Sequence, residues 1–170
     1  MDVMQAISQR YSCRAYKPDP VEEKTLNQIL DAARQAPSAR NFQDWRFVVV
    51  TDAETRNRLK AAAYNQAFVA QAPVVIAACS VSRYVMRCGQ PIGPIDVSIA
   101  LEHIALAATS LGLATCWVGS FMPGQVREIL RIPSEVMVVE LMTLGRPADE
   151  PKRPDRLRRE EIACRETWMF

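Results

Sequence analysis

The sequence predicts a single folded domain that combines helices with strands. A chain of 170 residues is long enough to bury a core without disulfide or metal support. Apolar residues make up 49% of the chain and charged residues 24%, which is the balance of a globular protein and not of a disordered one. Apolar segments rich in β-branched residues alternate with segments of helical periodicity, so elements of both kinds are expected.

The first half of the chain is predicted to form helices at residues 2–9, 22–34 and 52–63 or beyond, and strands at 45–51 and 73–81. Asp2 and Asp52 can each cap a helix, because their carboxylates accept hydrogen bonds from the free N–H groups of a first turn. The 22–34 helix has an apolar face, and Pro37 stops it. The segment WRFVVVT is rich in β-branched and aromatic residues, which is typical of a buried strand.

The second half is predicted to form helices at about 95–111 and 123–130 and strands at 115–119 and 135–145. The 95–111 segment is apolar on nearly every side and is interrupted mainly by Glu102 and His103. This pattern indicates a central helix that is buried on most faces. Gly112 ends that helix, and residues 1–145 form the expected core of the domain.

Residues 146–170 are predicted to form an extended arm outside this core. Residues 146–159 contain three prolines and six basic side chains, which is too polar and too interrupted for a core segment. The arm ends in ETWMF, a short apolar and aromatic tail that would be poorly placed in solvent. We expect this tail to pack against a second subunit, with docking on its own chain as the alternative.

The charge balance gives no general reason to expect nucleic acid or an anionic membrane as a partner. The net charge is +2, so any binding of anions has to be local. The N-terminus lacks a basic stretch followed by an apolar segment, and no uninterrupted apolar run reaches the ~18 residues that suggest a membrane span. A cytoplasmic protein is therefore expected.

Cysteine and histidine usage limits the chemistry that side chains could perform. The five cysteines are scattered and contain no C-x-x-C pair, which argues against a disulfide framework and against a zinc site. His103 is the only histidine, so a Ser-His-Asp triad could be built only around it and a multi-histidine metal centre cannot form. A reaction catalysed by this protein therefore either depends on a cofactor or requires few catalytic side chains.

The segment RYSCR places Arg10, Ser12 and Arg14 two residues apart, so all three point to one side of an extended backbone. Two guanidinium groups and a hydroxyl can bind phosphate oxygens with charge-assisted hydrogen bonds. The alternative is a pair of solvated arginines at the C-terminal end of a helix, where the helix dipole favours cations.

Two further segments could contact a flat heterocyclic ligand. The loop APSARNFQDW carries Ser38, Asn41 and Gln43, and its amides both donate and accept hydrogen bonds, which suits the edge of a pyrimidine-like ring. Its alternative is a helix stop with an Asx-type turn. In ATCWVG, Gly119 lacks a Cβ, so the backbone next to Val118 could approach a flat ring closely, unless this is a simple exit from a strand.

These segments, in this order, resemble the nitroreductase family of FMN-dependent oxidoreductases. The resemblance rests on RYSCR, APSARNFQDW, DVSIALEHIALAATSLGL, ATCWVGSF, and LGRP before a basic arm, and it covers nearly the whole chain. It implies an α+β fold with a central antiparallel sheet flanked by helices. It also implies a homodimer in which the C-terminal arms are exchanged and FMN lies at the subunit interface.

The resemblance further implies a composite cofactor site. Arg10, Tyr11, Ser12 and Arg14 match family positions near the phosphate, the ribityl chain and the pyrimidine side of the flavin. A loop donated by the other subunit contributes Pro37, Ser38, Ala39 and Asn41, and the backbone of Val118 and Gly119 faces flavin N5. Arg156 of the arm matches a phosphate ligand, with Arg153 as the second candidate. Asn65 matches a position near the pyrimidine edge.

The implied activity is a ping-pong oxidoreduction in which the cofactor carries the chemistry. NADH or NADPH delivers a hydride to flavin N5 and leaves, and an electron-poor small molecule such as a nitroaromatic or a quinone takes its place. Arg14 supplies a positive field near the pyrimidine side, and protons can come from water.

The sequence departs from the family pattern in several places. Asp44 stands where proline is usual, Ala114 where glycine is usual, and His103 where asparagine is common. Residues 82–95 are shorter than the segment that covers the substrate side in larger relatives. Two alternatives follow: a specialised flavin enzyme such as a reductive dehalogenase or a flavin-fragmenting enzyme, and an FMN-binding protein without enzymatic activity.

Overall fold

A four-stranded antiparallel sheet lies at the centre of the protein. The computed structural model describes residues 1–151 and 154–170. The strands are β1 (Trp45–Val50), β2 (Val74–Ser80), β3 (Ala114–Val118) and β4 (Met137–Gly145), and their order in the sheet is β1-β2-β4-β3. All neighbouring strands are antiparallel, and the register of β2 against β4 shifts between Ala78 and Cys79. The predicted α+β arrangement with a central antiparallel sheet is confirmed.

Helices surround the sheet, and two of them begin at the predicted aspartates. They are α1 (Val3–Gln9), α2 (Glu23–Arg34), α3 (Ala53–Ala62), α4 (Ala67–Gln71), α5 (Ile92–Ser110) and α6 (Pro123–Leu130), with 3₁₀ turns at Ala39–Asn41 and Arg159–Glu161. Asp2 caps α1 by accepting a hydrogen bond from Gln5 N at 2.8 Å, and Asp52 caps α3 by accepting one from Thr55 N at 2.8 Å.

The helices cover the sheet in two layers. On one face, Ile29 of α2 and the apolar residues of α5 share a core with Ile76 of β2. On the other face, Leu59 of α3 and residues of α4 and α6 pack against Val75 of β2. Successive side chains of a strand point to opposite faces, so β2 contributes to both cores and is buried over its whole length.

The predicted helix that begins after Asp52 does not continue beyond Ala63. α3 ends at Ala62, and Tyr64 and Asn65 adopt left-handed backbone conformations with φ of 52° and 60°. Two left-handed residues interrupt the helical hydrogen-bond ladder, and the short helix α4, which was not predicted, begins after them.

The central helix α5 begins at Ile92 and not near residue 95 as predicted. Pro94 is compatible with this earlier start, because N–H groups in the first turn have no partners within the helix. By length and composition alone, α5 could also cross a membrane, with a mean hydropathy of 1.3. Half of this apolar segment is buried inside the protein. There α5 contacts all four strands and α2, as the core helix of a globular domain does.

The arm leaves the core after β4. Its first part adds a bridge between Tyr16 and Pro147, and Ala148 N donates to Ala15 O at 2.9 Å. The described part of the arm beyond this point is exposed, and Trp168 retains 82% of its accessible surface. The tail is therefore not docked on its own chain, which leaves packing against a second subunit as the expectation from the sequence.

Candidate functional site

A cleft of about 650 Å³ lies between the end of α1, the RYSCR segment and the arm. Its polar lining consists of Ser8, Arg10, Tyr11, Ser12, Arg14 and Arg156. The structure thus brings the N-terminal basic cluster and one arginine of the arm together at one cleft. Arg153, the second arm candidate, lies outside the described residues.

The backbone of RYSCR is extended because it is tied to the edge of the sheet. Arg10 ends α1 with its N–H donating to Ala6 O, and Ser12 forms a parallel bridge with Thr115 of β3. Cys13 N donates to Thr115 O at 2.9 Å, and the Cys13 side chain is fully buried in the core. Side chains alternate along such a segment, so Ser12 and Arg14 on either side of Cys13 are exposed toward the cleft.

The cleft is electropositive, and its arginines have different partners. Arg10 Nε lies 3.8 Å from Glu102 Oε1 of α5, while the Arg14 guanidinium lies over the Phe68 ring at 5.9 Å from the ring centroid. Burial raises the pKa of Glu102 and the nearby Arg10 lowers it, with the first effect larger. Within the described chain, neither Arg10 nor Arg14 forms a close bidentate ion pair. Their guanidinium groups therefore keep donors that can bind a ligand.

Tyr11 contributes a hydroxyl that is buried and has no hydrogen-bond partner among the residues that the structure describes. Burial is the largest cause that raises the pKa of Tyr11, and the nearby acidic groups Cys13, Asp149 and Glu150 raise it further. The hydroxyl therefore stays protonated, and its hydrogen is available to a ligand.

The predicted loop at residues 37–41 does not line this cleft within the same chain. It folds into the 3₁₀ turn Ala39–Asn41, in which Arg40 and Asn41 have positive φ values of 52° and 57°. Ala39 N donates to Asp96 Oδ2 at 3.0 Å, and Gln43 N donates to Ser38 Oγ at 3.0 Å. The loop is thus anchored to α5, away from the N-terminal cluster of its own chain.

Val118 and Gly119 lie where β3 ends, and Asn65 lies in the turn before α4. Gln66 links these two regions, because its side chain donates to Ser120 O at 3.0 Å. The absence of a Cβ at Gly119 leaves space for the side chain of Glu140, which was not among the predicted site residues: a Cβ at Gly119 would lie 3.4 Å from Glu140 Oε1.

Glu140 of β4 is one of several acidic residues of the candidate site that were not among the predicted site residues. Its Oε1 is buried without a hydrogen-bond partner in the described part of the chain, and burial raises its pKa to about 6. Glu102 beside Arg10 and Asp96 beneath Ala39 are further examples. Glu102 was visible as an interruption of the apolar helix, whereas nothing in the local pattern pointed to Asp96 or Glu140.

Comparison with known proteins agrees with this architecture. The sequence profile of the Nitroreductase family matches residues 7–67 and 60–146. "NADH dehydrogenase" of Thermus thermophilus is 33% identical over 95% of this chain and 95% of its own length. The crystal structure of a nitroreductase family protein from Clostridium difficile superimposes with a TM-score of 0.89 at 32% identity and covers 99% of this chain and 100% of its own.

A third relative carries a bound dinucleotide. NADPH:FMN oxidoreductase from Vibrio harveyi, in complex with NAD⁺, is similar with a TM-score of 0.90 and 27% identity over 98% of this chain and 78% of its own. The profile match covers most of the chain, and the structural likeness extends over its whole core. The chain therefore belongs to the nitroreductase family.

Proposed function

We propose that the protein is an FMN-dependent oxidoreductase that uses NADH or NADPH to reduce an electron-poor small molecule such as a nitroaromatic or a quinone. The observation that carries this proposal is the convergence of Arg10, Ser12, Arg14 and Arg156 on one cleft. The family membership and the FMN- and nicotinamide-binding Vibrio harveyi relative support it.

The residues of the cleft fit the phosphate end of FMN. Guanidinium groups of Arg10 and Arg156 would bind phosphate oxygens through charge-assisted hydrogen bonds, with the Ser12 hydroxyl as a further donor. The unpartnered Tyr11 hydroxyl is a buried donor that a polar ligand would satisfy. The volume of the cleft is within the range that small-molecule sites occupy, roughly 300–1,000 Å³.

The other predicted positions would hold the ring system. The backbone of Val118 and Gly119 at the end of β3 would face the ring, and Arg14 offers a positive charge for the pyrimidine side. The bound cofactor supplies hydride transfer, and the protein orients the reactants in turn at one open face, as a ping-pong cycle requires. No acid or base of the protein is required, because water can supply the protons.

We propose a homodimer in which the arm of one subunit packs on its partner. The arm exposes Leu157, Ile162, Trp168, Met169 and Phe170 when the chain is alone. Exposed apolar and aromatic side chains of this size are typical of a protein interface. The loop at 37–41 would then complete the cofactor site of the other subunit. The cysteines, all among the described residues, are free thiols, which suits the reducing cytoplasm in which we place the protein.

The proposal is tested by the colour and the redox response of the purified full-length protein. We expect a yellow protein, or one that turns yellow on incubation with FMN, and anaerobic bleaching by NADH or NADPH. A protein that stays colourless with FMN would refute the proposal. Binding of FMN without bleaching by either nicotinamide would refute the reductase activity and favour an FMN-binding protein of another function.

The phosphate assignment has its own test. The double variant Arg10→Ala/Arg156→Ala should bind FMN far more weakly than the wild type, because both guanidinium groups assigned to the phosphate are removed. Unchanged FMN affinity in a folded double variant would place the phosphate elsewhere.

A further inference from the structure

The short segment between β2 and α5 folds into a hairpin over residues 84–92. Val85 and Pro91 form an antiparallel bridge. Beyond this bridge, Met86 N donates to Gln90 O at 2.9 Å. The segment that was expected to be short therefore has a defined structure of its own, and its side chains have fixed neighbours.

The hairpin lies against the 37–43 loop. Val81 N donates to Asp44 O at 3.0 Å, which joins the exit of β2 to the end of the loop. The side chains continue this contact, because the rings of Phe42 and Tyr84 meet edge to face with their centroids 5.5 Å apart and their planes at 72°. Two aromatic rings from separate segments thus form one surface.

Arg40 adds a guanidinium group to these rings. Its Cζ lies 5.4 Å from the centroid of the Tyr84 ring, within the range of a cation–π contact. An arginine in such a contact can still donate hydrogen bonds from the edge of its guanidinium group to a carboxylate or a phosphate. Phe42 retains 47% of its accessible surface, so its ring can contact a ligand. We call Arg40, Phe42 and Tyr84 the cationic aromatic patch.

The charge around the patch is positive. Residues 37–43 and 84–92 contain no aspartate or glutamate, whereas Arg83 and Arg87 add two exposed cations. No ion pair in the part of the chain that the structure describes involves Arg40, Arg83 or Arg87. The patch therefore combines aromatic surface with positive charge that no nearby surface acid offsets.

Two acids lie beneath the loop, but they have other partners. Asp44 accepts a hydrogen bond from the Ser80 hydroxyl, and Asp96 accepts one from Ala39 N at 3.0 Å. Each of the two acids is only 3% exposed. Their carboxylates anchor the loop from below, and the exposed side of the patch stays positive.

We propose that the cationic aromatic patch binds a flat aromatic anion and thereby selects electron acceptors that carry a carboxylate or a similar negative group. The ring of the ligand would contact Phe42, and its anionic group would accept hydrogen bonds from Arg40. The selection of acceptors rests on the proposed function, because the loop lies beside the flavin only in the dimer proposed above. The binding of an aromatic anion does not rest on it.

NMR titration of the purified full-length protein with benzoate and with benzamide tests the binding site itself. The two probes share a ring and differ in charge, so the wild type should bind benzoate more tightly. Arg40→Gln should lose about fivefold in affinity for benzoate and keep its affinity for benzamide, because one partly exposed charged contact is removed. Arg58→Gln, at an exposed position of α3 on the other face of the sheet, is the control with the same change in net charge.

Two further variants separate the charge from the ring. Arg40→Lys keeps the charge and removes the planar guanidinium group, so its affinity for benzoate should lie between those of the wild type and Arg40→Gln. Phe42→Leu should weaken the binding of both probes by about threefold, because an aromatic contact is lost. If Arg40→Gln does not fold, Arg40→Lys replaces it in every measurement.

Turnover of the FMN-loaded protein tests the selection of acceptors. para-Nitrobenzoate and para-nitrobenzamide share a ring and a nitro group, and the ratio of their kcat/KM values in the wild type is the reference for their different reactivities. This ratio should fall about fivefold in Arg40→Gln and stay constant in Arg58→Gln. The KM values of NADH and NADPH should stay unchanged in both variants.

The outcomes distinguish the sources of the anion. Equal affinity of the wild type for benzoate and benzamide, or a benzoate affinity that Arg40→Gln does not lower, would overturn the binding site. A higher KM for NADH or NADPH in Arg40→Gln, with a constant ratio of acceptors, would assign the patch to the dinucleotide and overturn the selection of acceptors. A protein that binds benzoate as expected but never binds FMN would refute the proposed function and leave the binding site in place.

Discussion

Arg10 at the end of α1 and Glu102 in the middle of α5 face each other with Nε and Oε1 3.8 Å apart. This distance is short enough for an ion pair and too long for a hydrogen bond. The Glu102 carboxylate therefore offsets the charge of Arg10 without fixing the orientation of its guanidinium group. In a cleft that we propose to bind phosphate, this carboxylate weakens the attraction for the anion.

Replacing Glu102 with Gln should consequently strengthen FMN binding. The variant keeps the size of the side chain and removes one negative charge, so we expect a dissociation constant about two- to fivefold lower, in line with the small energies of partly exposed ion pairs. Quenching of FMN fluorescence measures it. Glu128→Gln, at an exposed position of α6, is the control and should leave the affinity unchanged. Weaker binding in Glu102→Gln would mean that the carboxylate orients Arg10.

Arg156 should contribute more to FMN binding than its neighbours on the arm. It lines the cleft, whereas Arg159 lies in the exposed 3₁₀ turn of the arm. Arg156→Ala should raise the dissociation constant of FMN by at least about tenfold, which is the effect of losing a hydrogen bond between charged groups. Arg159→Ala provides the matched control in the same titration. Equal effects of the two substitutions would show that the arm contributes only general positive charge.

Stability should depend on pH through Glu140. Burial raises its pKa from 4.5 to about 6, so the folded protein holds this proton more tightly than the unfolded chain does. The free energy of unfolding should therefore fall as pH rises across this interval. Because the side chain is only half-buried, we expect a loss of roughly 1 kcal/mol or less.

Urea unfolding of the wild type and Glu140→Gln at about pH 4.5 and about pH 7.5 checks this expectation. The difference in stability between the two proteins should be larger at the higher pH, in favour of the variant, which cannot ionise. A difference that is the same at both pH values would be at odds with a proton bound at Glu140.

Gly93 in the first turn of α5 should not tolerate a side chain. A Cβ at this position would lie 2.6 Å from Ser80 Oγ and 2.9 Å from Ser80 Cβ, and Ser80 is fixed in β2 and hydrogen-bonded to Asp44. Gly93→Ala should therefore destabilise the protein by about 1–3 kcal/mol, the usual cost of overpacking. Gly124→Ala in α6 is the control, because nothing lies within 4 Å of its added Cβ. The midpoints of thermal unfolding of Gly93→Ala, Gly124→Ala and the wild type measure the difference in stability.

The apolar tail should contribute to subunit association. Removal of residues 160–170, or the paired substitutions Trp168→Ser and Phe170→Ser, should raise the dissociation constant of the dimer by at least about tenfold, since aromatic anchors dominate most interfaces. Sedimentation velocity over a dilution series measures the association, with Glu160→Gln as the control. A wild type that is monomeric, or truncated chains that associate as tightly as the wild type, would refute the exchanged arm.

The local sequence pattern was sufficient to predict most helices and strands of the core. The alternation that placed Arg10, Ser12 and Arg14 on one side is present because the segment pairs with the edge of β3, and the capping aspartates begin α1 and α3. The interruption between α3 and α4 was not predicted, since Tyr64 and Asn65 adopt left-handed conformations without glycine.

Glu140 and Asp96 could not be found by local pattern because each contacts a residue that is distant in sequence. Glu140 meets Gly119 across neighbouring strands, and Asp96 meets Ala39 only after α5 has packed on the sheet. In the sequence, Asp44 stood out only because it occupies a position where proline is usual in the family. Tertiary packing, which brings these groups together and excludes water from them, determines their chemistry.

The position of β4 has a consequence for synthesis of the protein. β4 follows β2 and β3 in the chain, yet it lies between them in the sheet. On the ribosome, β2 therefore emerges with its inner edge open, and β3 waits for the only strand with which it pairs in the described part of the chain. Both edges stay unpaired until Met137–Gly145 joins the sheet, so the chain is open to edge-to-edge association with other chains up to this late step of folding.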